Sequence, residues 1–378
     1  MLRVWFLSGL RFVLGAMSAL AVVACAAPPT PTPPPPTPLP VASVLLKGEG
    51  ATFPAPIYNE WAELYPSVDP SVRIEYRVTG SGAGKKAAVE NTVDFAGSDS
   101  LLTTKEYERG QDLQMYPMLA GAVVIIYNIE NISGVPTLIL DRETLVGIYD
   151  GTISHWNDSR LLALNPERAT QLPAQPITVV HRADGSGTTE IFTKGLAAFR
   201  AQWKTQVGSG TSVDWPTDKL GRGVGRDYNS GVAAMVGSTP NSIGYVELAY
   251  AVTNNLLYAR LKNRAGNIVT AGPENVQAAM ADFAGTFSDR LTTDIVDGSG
   301  QNSWPLAGYT YLILHTQRMT DCVKARKLVE YIRWSLTDDF AQQRATALGY
   351  SPLPNDVRQL VLTRLARVTC QDQPLLSP

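Results

Sequence analysis

A twelve-residue stretch near the middle of the chain, HRADGSGTTEIF over residues 181–192, brings together side chains that can bind an anion. Arg182 supplies a guanidinium that forks onto oxyanions, and Asp184, two residues on, can orient and neutralise that guanidinium. Glycines on either side of Ser186 let the backbone approach a ligand closely, and Thr188 adds a second hydroxyl. These residue types at this spacing predict a binding site for a small oxyanion.

Three other stretches have the same form, a glycine or hydroxyl residue followed by a predicted helix start: GEGATFPAP (48–56), TGSGAGKKAAVENT (79–92) and GSDSLLTTKEY (97–107). They place Thr52 and Ser81 near helix N-termini, where unpaired N–H groups and a partial positive charge favour anions. Converging N-termini would bind an anion through neutral dipoles even in an acidic chain. For each stretch taken alone, a cap that serves only helix stability is the alternative.

Asp99 needs a separate explanation, because a simple anion site should exclude a carboxylate. A carboxylate accepts hydrogen bonds and donates none, so it tolerates an oxyanion that brings its own proton. Mono- and dihydrogen phosphate carry such a proton and sulfate near neutral pH does not, which would let Asp99 select against sulfate. The alternative is that Asp99 is an Asx cap for a helix beginning near Leu102.

Alternation of apolar strands with amphipathic helices predicts an α/β fold. The predicted strands are VRIEYRV (72–78), GAVVIIYN (121–128) and PITVVHR (176–182). FPAPIYNEWAELY (53–65) is predicted to be a helix, and CVKARKLVEYIRWSL (322–336) is predicted to be a surface helix near the C-terminus. The chain is long enough for two packed domains.

The first 24 residues have the composition of an export signal. They carry Arg3 and Arg11 but no acid, followed by an apolar run that ends in small residues before Cys25. The junction Val22-Val23-Ala24-Cys25 resembles a lipoprotein lipobox, which predicts cleavage before Cys25 and a lipid on that cysteine. A plain secretory signal with a buried cysteine is the alternative.

A proline-rich linker follows the predicted lipidation site. Residues 28–40 read PPTPTPPPPTPLP, which predicts a polyproline II spacer about 40 Å long. We therefore expect residues 25–42 to hold the folded part of the chain off a membrane surface. Without a lipid, the same segment would be a disordered tail.

Charge, histidine and cysteine usage narrow the function classes. The net charge is −2, and removal of residues 1–24 would take away two of the 32 basic groups and leave −4, which excludes a basic nucleic-acid binder. Three scattered histidines and no CxxC motif argue against a metal site or a bound cofactor. Cys322 and Cys370, an even number in an exported chain, predict one disulfide, with two free buried thiols as the alternative.

Five segments together resemble the phosphate-binding proteins of bacterial high-affinity phosphate ABC transporters. They occur in the family's order between residues 46 and 355: GEGATFPAPIYNEW, TGSGAG, NTVDFAGSDSLL, HRADGSGT and NSIGYVELAYA. The resemblance implies an α/β, two-lobed periplasmic-binding-protein fold of type II, with a ligand cleft between lobes joined by two hinge crossings. It also implies binding of inorganic phosphate outside the cytoplasm and delivery to the importer, without enzymatic activity.

The resemblance assigns site residues and lobes as well. The phosphate contacts that it implies are Thr52, Phe53, Ser81, Asp99, Arg182, Ser186, Gly187 and Thr188, with Asp184 pairing Arg182 and Asp99 taking the phosphate proton. Lobe I would consist of residues 43–120 and 304–378 and lobe II of residues 121–303, with crossings near 120–123 and 304–308. The implied partners are phosphate and membrane permease subunits, for a monomer that binds no nucleic acid.

Four positions depart from the family pattern. Glu49 stands where the family usually has a small residue, and we expect it to face solvent, because an acid close to the anion would weaken binding. His181 replaces a commonly basic residue and removes positive charge near neutral pH. Gly82 and Ala83 alter a loop that the family often writes with serines. We expect these changes to shift affinity rather than ligand.

Two other functions could use the same residues. A phosphatase would need an activated nucleophile, but the chain has no GxSxG elbow, and the histidine close to Ser186 in the sequence, His181, comes without a metal cluster. A lipid-anchored surface protein that senses phosphate or mediates an interaction would keep the same fold and site. Transport and sensing therefore stay open as alternatives at the level of the sequence.

Overall fold

A computed structural model describes residues 44–130, 132 and 137–376 of the chain. The predicted signal segment 1–24, Cys25 and the linker up to residue 42 lie outside the described residues. None of the described helices combines the length and the apolar character needed to cross a membrane.

Helices and strands alternate along the described chain. The helices are α1 (Ala55–Leu64), α2 (Ser81–Val89), α3 (Thr104–Gly110), α4 (Arg142–Asp150), α5 (Ser159–Leu164), α6 (Gly187–Phe199), α7 (Ala201–Gln206), α8 (Pro216–Lys219), α9 (Tyr228–Ser238), α10 (Leu248–Thr253), α11 (Pro273–Asp282), α12 (Cys322–Thr337), α13 (Asp339–Ala347) and α14 (Asn355–Leu365). The strands are β1 (Val44–Gly50), β2 (Val72–Val78), β3 (Phe95–Ser98), β4 (Leu113–Asn128), β5 (Ile139–Leu140), β6 (Thr178–Arg182), β7 (Gly223–Arg226), β8 (Ser242–Glu247), β9 (Arg260–Lys262), β10 (Ile268–Val269), β11 (Ala307–His315), β12 (Ser351–Pro352), β13 (Thr369–Cys370) and β14 (Gln373–Pro374).

The principal sheet has the strand order β2-β1-β3-β11-β4-β8-β6-β7, and β12 joins it by pairing with β4. The pairs β1–β2, β1–β3, β6–β8 and β6–β7 are parallel, whereas β11 and β4 run antiparallel to their neighbours. β4 is 16 residues long and is buried except at its last residue. Its largely apolar sequence is typical of a strand that is covered on both faces of a sheet. β4 therefore forms the centre of the sheet.

One strand thus contributes to two sets of pairings. β4 pairs with β11 up to Ala122 and with β8 from Val123 onward. At the change of partner, Val123 N–H donates to the carbonyl of Leu306 (2.9 Å), and the indole Nε1 of Trp304 donates to the carbonyl of Val123 (3.0 Å). The segments 120–123 and 304–308 consequently lie side by side.

The predicted α/β class is confirmed, and most predicted elements lie where expected. β2 coincides with the predicted strand 72–78, and α1 and α12 occupy the two predicted helices. The strand predicted at 121–128 is longer than expected, because β4 begins at Leu113 and continues through Pro117. The register shifts between Thr310 and Tyr311 of β11, opposite that proline, so the irregularity accommodates a residue that has no N–H to donate.

A disulfide closes the C-terminal part of the chain, as predicted, and the alternative of two free thiols is wrong. Cys322, the first residue of α12, is bonded to Cys370 in β13, with the two Cα atoms 5.4 Å apart. The bond ties α12 to the strand pair that ends the described chain.

Replacing both bonded cysteines with serine should lower the free energy of unfolding by about 4 kcal/mol, because the 48-residue interval would be open in the unfolded chain. Denaturant unfolding of Cys322→Ser/Cys370→Ser measures this loss. Cys25→Ser serves as the control and should be unchanged. A loss below about 1 kcal/mol would show that the bond constrains the unfolded chain little.

Candidate functional site

The side chain of Arg182 lies at the centre of a buried polar cluster, at the end of β6. It is 1% exposed, and Asp184 holds it in a bidentate pair: Nε donates to Oδ1 (2.6 Å) and Nη2 to Oδ2 (2.5 Å). Asp184 is fixed in turn by the backbone N–H of Tyr228, which donates to Oδ1 (3.0 Å). This pairing is the one predicted for Arg182 and Asp184, and it leaves Nη1 to face the other polar groups.

Two threonine hydroxyls accept hydrogen bonds around Nη1 of Arg182. Nη1 donates to Thr52 Oγ1 (3.0 Å) and to Thr188 Oγ1 (3.5 Å), and the Asn229 amide donates to the same two oxygens at 3.0 and 3.3 Å. A hydroxyl accepts two hydrogen bonds and donates one. Because both lone pairs of each oxygen are engaged, Thr52 and Thr188 each have a proton left to donate to a ligand.

Ser81 and Asp99 form a second buried pair beside the N-terminus of α6. Ser81 Oγ donates to Asp99 Oδ2 (3.2 Å), and the backbone N–H of Asp99 donates to Ser81 Oγ (3.1 Å). A Cβ atom at Gly187 would lie 2.5 Å from Ser81 Oγ and 2.6 Å from Asp99 Cβ. Glycine at 187 is therefore required for α6 to approach this pair so closely.

The carboxyl group of Asp99 has a strongly perturbed environment. The residue is 6% exposed, and within the described part of the chain Oδ1 has no hydrogen-bond partner. Burial raises the pKa of Asp99 from its ordinary value of 3.8 to about 7, although the side chains of Thr310 and Ser81 and the charge of Arg182 act in the opposite direction. Near neutral pH this carboxyl group can therefore hold a proton or accept one.

The four stretches singled out in the sequence meet at this place. Thr52 contacts Arg182 as described, Gly82 N–H donates to the carbonyl of Gly185 (2.9 Å), and a Cβ atom at Gly80 would lie 2.5 Å from Asp184 Oδ2. We call the resulting cluster the candidate site; it consists of Thr52, Ser81, Asp99, Arg182, Asp184, Gly187, Thr188 and Asn229. Of the further predicted residues, Phe53 and Ser186 adjoin it and are fully buried.

The helix-cap alternatives have different outcomes at different positions. Ser186 is a cap, because its Oγ accepts the N–H of Thr189 (3.1 Å) at the start of α6. Thr52 is not, because Pro54 precedes α1 without a side-chain cap. The Asx-cap interpretation of Asp99 is wrong, since α3 begins at Thr104 and is capped by a reciprocal pair between Thr103 and Glu106.

The prediction that Glu49 faces solvent is wrong. Glu49 is 9% exposed, and its Oε2 is paired with the guanidinium of Arg77, the residue opposite it on β2. β1 lies between β2 and β3, so its side chains are largely covered. The pairing with Arg77 neutralises the acid, which removes the reason for expecting it in solvent.

His181 lies next to the candidate site in sequence but faces away from it, because successive strand residues point to opposite sides. Its ring stacks on Trp215 with the ring centres 4.9 Å apart, Nε2 lies 2.8 Å from Asp218 Oδ1, and Nδ1 lies 3.0 Å from the carbonyl oxygen of Arg182. His181 therefore contacts the backbone of Arg182 from the side of β6 that faces away from the candidate site.

Several residues around the site were missed by sequence reasoning. Asn229 lies in the first turn of α9, outside the four stretches singled out in the sequence. Tyr250 and Tyr350 donate from Oη to the carbonyls of Thr52 and Phe53, both at 2.7 Å. No local sequence pattern identifies these three residues, because each forms its hydrogen bond with a residue that is far away in the sequence.

Metal binding has no obvious location among the residues that the structure describes, since no three His, Cys, Asp or Glu side chains there are grouped closely enough to hold an ion. The chemistry of the candidate site instead consists of one paired guanidinium, several hydroxyl and amide donors, and one carboxyl group that shares a proton. Such a set suits a small oxyanion.

The fold and this buried site define a ligand-binding protein of the periplasmic type. A human phosphate-binding apolipoprotein has the same fold, with a TM-score of 0.65 at 22% identity, covering 84% of this chain and 93% of that one. The PBP superfamily domain matches residues 34–339.

Two relatives with similar sequences identify the family within this class of protein. The phosphate-binding protein PstS of Methanocaldococcus jannaschii is 35% identical over 334 residues, covering 85% of each chain. PstS of Pasteurella multocida is 36% identical over 317 residues, covering 84% of this chain and 88% of that one. The chain belongs to the PBP superfamily and, within it, to the family of PstS phosphate-binding proteins.

Replacing Asp99 with asparagine should change how stability depends on pH. The buried neutral carboxyl group makes its full contribution to the free energy of unfolding below its ordinary pKa of 3.8. That contribution is lost as the pH rises to its pKa in the folded protein, about 7. The amide does not titrate, so the free energy of unfolding of Asp99→Asn relative to wild type should rise by about 3 kcal/mol between pH 4.5 and 8. Denaturant unfolding in phosphate-free buffer measures it.

The exposed Asp289 provides the matched control, and Asp289→Asn should show no such rise. If the free energies of unfolding of wild type and Asp99→Asn differed by a constant amount across this pH range, the buried carboxyl group of Asp99 would not be neutral in acid and costly to ionise.

Proposed function

We propose that this protein binds inorganic phosphate outside the cytoplasm and delivers it to an ABC importer. The observation that carries the proposal is the meeting of hydroxyl and amide donors around Nη1 of Arg182, within a buried cluster that also holds the partly neutral carboxyl of Asp99. The relatives named as phosphate-binding proteins, which match over most of their length, support phosphate as the ligand.

Phosphate fits the charges and protons of the candidate site. Asp184 compensates Arg182, so binding would depend on charge-assisted hydrogen bonds and neutral dipoles more than on net positive charge. A hydrogen phosphate can donate its proton to the ionised form of Asp99, whereas that form offers sulfate only an acceptor for which sulfate has no proton. The same acceptor would tolerate arsenate, which carries a proton at the same pH.

The proposed phosphate contacts are Thr52, Phe53, Ser81, Asp99, Arg182, Ser186, Gly187 and Thr188, with Asp184 orienting Arg182. Thr52 and Thr188 would donate their free hydroxyl protons. Ser186 accepts a helix N–H and still has its own proton to donate. The N-termini of α1, α2 and α6 would supply backbone N–H groups.

We place the ligand between two lobes, residues 43–120 with 304–378 and residues 121–303. The change of partner along β4 at Ala122 and Val123, beside 304–308, supports crossings at these two places. Thr52, Ser81 and Asp99 would then belong to the first lobe and Arg182 to Thr188 to the second. A ligand contacted from both lobes binds the closed state better than the open one, which ligand-driven closure requires.

Binding without catalysis is the function that the surroundings of Ser186 favour. Its Oγ is engaged as a helix cap, and both ring nitrogens of His181 are directed to other partners, Asp218 and the carbonyl of Arg182. A phosphatase would need one of these groups to activate the other. We propose further that the protein is a monomer that binds no nucleic acid and needs no cofactor.

The proposed location is outside the cytoplasm, attached to the membrane by a lipid on Cys25. The composition of residues 1–24 and the proline-rich linker before residue 42 support this arrangement. A tether of about 40 Å would let the folded part of the chain reach permease subunits in the same membrane. A surface phosphate sensor would share the anchor, and the presence of permease and ATPase genes beside this one would favour transport.

Isothermal titration of phosphate, then of sulfate, into protein stripped of ligand by unfolding, dialysis and refolding tests the proposed function. We expect one phosphate to bind per chain and sulfate to give no heat of binding. Arg182→Ala should weaken phosphate binding by at least about a hundredfold, because truncation also leaves Asp184 unpaired beside the anion.

Arg226, the exposed neighbour of Arg182 on β7, provides the matched control. Arg226→Ala should leave the dissociation constant for phosphate within about twofold of wild type. Failure of wild type to bind phosphate would refute the function, and a loss of less than about fivefold in Arg182→Ala would place Arg182 outside the ligand contacts.

A further inference from the structure

A buried carboxyl group with no assigned role lies at the end of β8. Glu247 is 0% exposed and pairs with Val123 of β4 in the strand register, where β4 changes partner. Its Oε2 accepts the N–H of Ala249 (2.9 Å) as the cap of α10 and lies 2.9 Å from Tyr350 Oη. Its Oε1 has no hydrogen-bond partner among the residues of the described ranges.

A count of protons around Tyr350 indicates which form of Glu247 is present. Tyr350 Oη lies within hydrogen-bond distance of two oxygens, the carbonyl of Phe53 (2.7 Å) and Oε2 of Glu247 (2.9 Å). The phenol has one proton and a carbonyl oxygen has none. Two full hydrogen bonds can form only if the carboxyl of Glu247 is protonated and donates to the tyrosine; otherwise the two oxygens share the single phenol proton.

The surroundings of Glu247 favour that neutral form. The titratable groups that face it are Tyr350, Tyr250 and Asp99, none of which is a cation. Burial raises the pKa of Glu247 well above its ordinary range, and its hydrogen-bond contacts with Tyr350 and Ala249 oppose this only in part. A neutral carboxylic acid can accept from Ala249 and donate to Tyr350 through the same oxygen.

Glu247 connects with two tyrosines that hold consecutive carbonyls of the candidate site. Tyr350 holds the carbonyl of Phe53 and is bonded directly to Glu247. Tyr250, in the helix that Glu247 caps, holds the carbonyl of Thr52. In a trans peptide the carbonyl and the following N–H point in opposite directions, so fixing the Thr52 carbonyl also fixes the direction of the Phe53 N–H.

We propose that Glu247, as a neutral carboxylic acid, is a positioning residue that fixes the Thr52–Phe53 backbone for phosphate through Tyr350 and α10. The inference rests on the proposed function of the site. Ionisation of Glu247 would make it compete for the single proton of Tyr350, release the Phe53 carbonyl, and add a negative charge near Asp99 and the anion. Neutrality is therefore part of its role, and an uncharged amide should replace it better than an apolar side chain does.

Phosphate titration at pH 7 into wild type and four variants tests this role. Glu247→Gln should bind closer to wild type than Glu247→Leu does, because the uncharged amide keeps one of the two hydrogen bonds of Oε2, either the one from Ala249 or the one to Tyr350. Glu247→Leu and Tyr350→Phe should each bind at least about tenfold more weakly. Tyr116→Phe is the matched control, because the buried hydroxyl of Tyr116 has no hydrogen-bond partner in the described chain, and it should bind like wild type.

Infrared difference spectra report the protonation state itself. Wild type minus Glu247→Gln at pH 7 should contain the carbonyl stretch of a protonated carboxylic acid, and the signals of Asp99 cancel in this difference. A carboxylate band in its place would overturn the proposal, as would equal phosphate affinities of wild type, Glu247→Leu and Tyr350→Phe. Tyr350→Phe keeps the binding test valid if Glu247→Leu does not fold.

The two proposals fail in different ways. If wild type does not bind phosphate, the proposed function fails, and the positioning role toward phosphate falls with it, whatever the infrared spectrum shows. If wild type binds phosphate and the binding is indifferent to residues 247 and 350, the positioning role fails and the function stands.

Discussion

The buried guanidinium of Arg182 is the feature on which the rest of the site depends. A charge removed from water must be paired and fully hydrogen-bonded, because an isolated ion in the interior is very costly. Asp184 supplies the countercharge, and Thr52, Thr188 and Asn229 surround the remaining nitrogen. Three separate parts of the chain therefore meet at Arg182, although β6 lies near one edge of the sheet and β1 near the other.

Close backbone approach makes this meeting possible. Gly187 approaches Ser81 and Asp99 at distances that a Cβ atom would not permit, and Gly80 does so beside Asp184. The positive φ of Gly80 (89°) adds a second reason for glycine at that position. The N-termini of α2 and α6 consequently meet in a small volume at the candidate site. In such a volume, neutral dipoles and hydroxyl protons can replace the hydration shell of an oxyanion without any excess of positive charge.

The parts of this structure that could be predicted from the sequence are those governed by local patterns. Loop-to-helix transitions around Ser81 and Ser186 depend on neighbouring residues, and so does the α/β alternation. Asn229, Tyr250 and Tyr350 could not be found in this way, since Tyr350 meets Phe53 across 297 positions. The error at Glu49 and the rejected cap alternative at Asp99 have the same origin: a partner on the next strand pairs with the first, and the Thr103–Glu106 box supplies the cap considered for the second.

Competition between phosphate and sulfate, in wild type and in Asp99→Asn, tests most directly whether Asp99 selects a protonated oxyanion. Wild type should prefer phosphate by at least about a thousandfold in dissociation constant, or about 4 kcal/mol. The amide can donate to an unprotonated oxygen and carries no charge, so in Asp99→Asn this preference should fall by at least about tenfold. A phosphate-to-sulfate ratio that the substitution leaves unchanged would contradict the role given to Asp99.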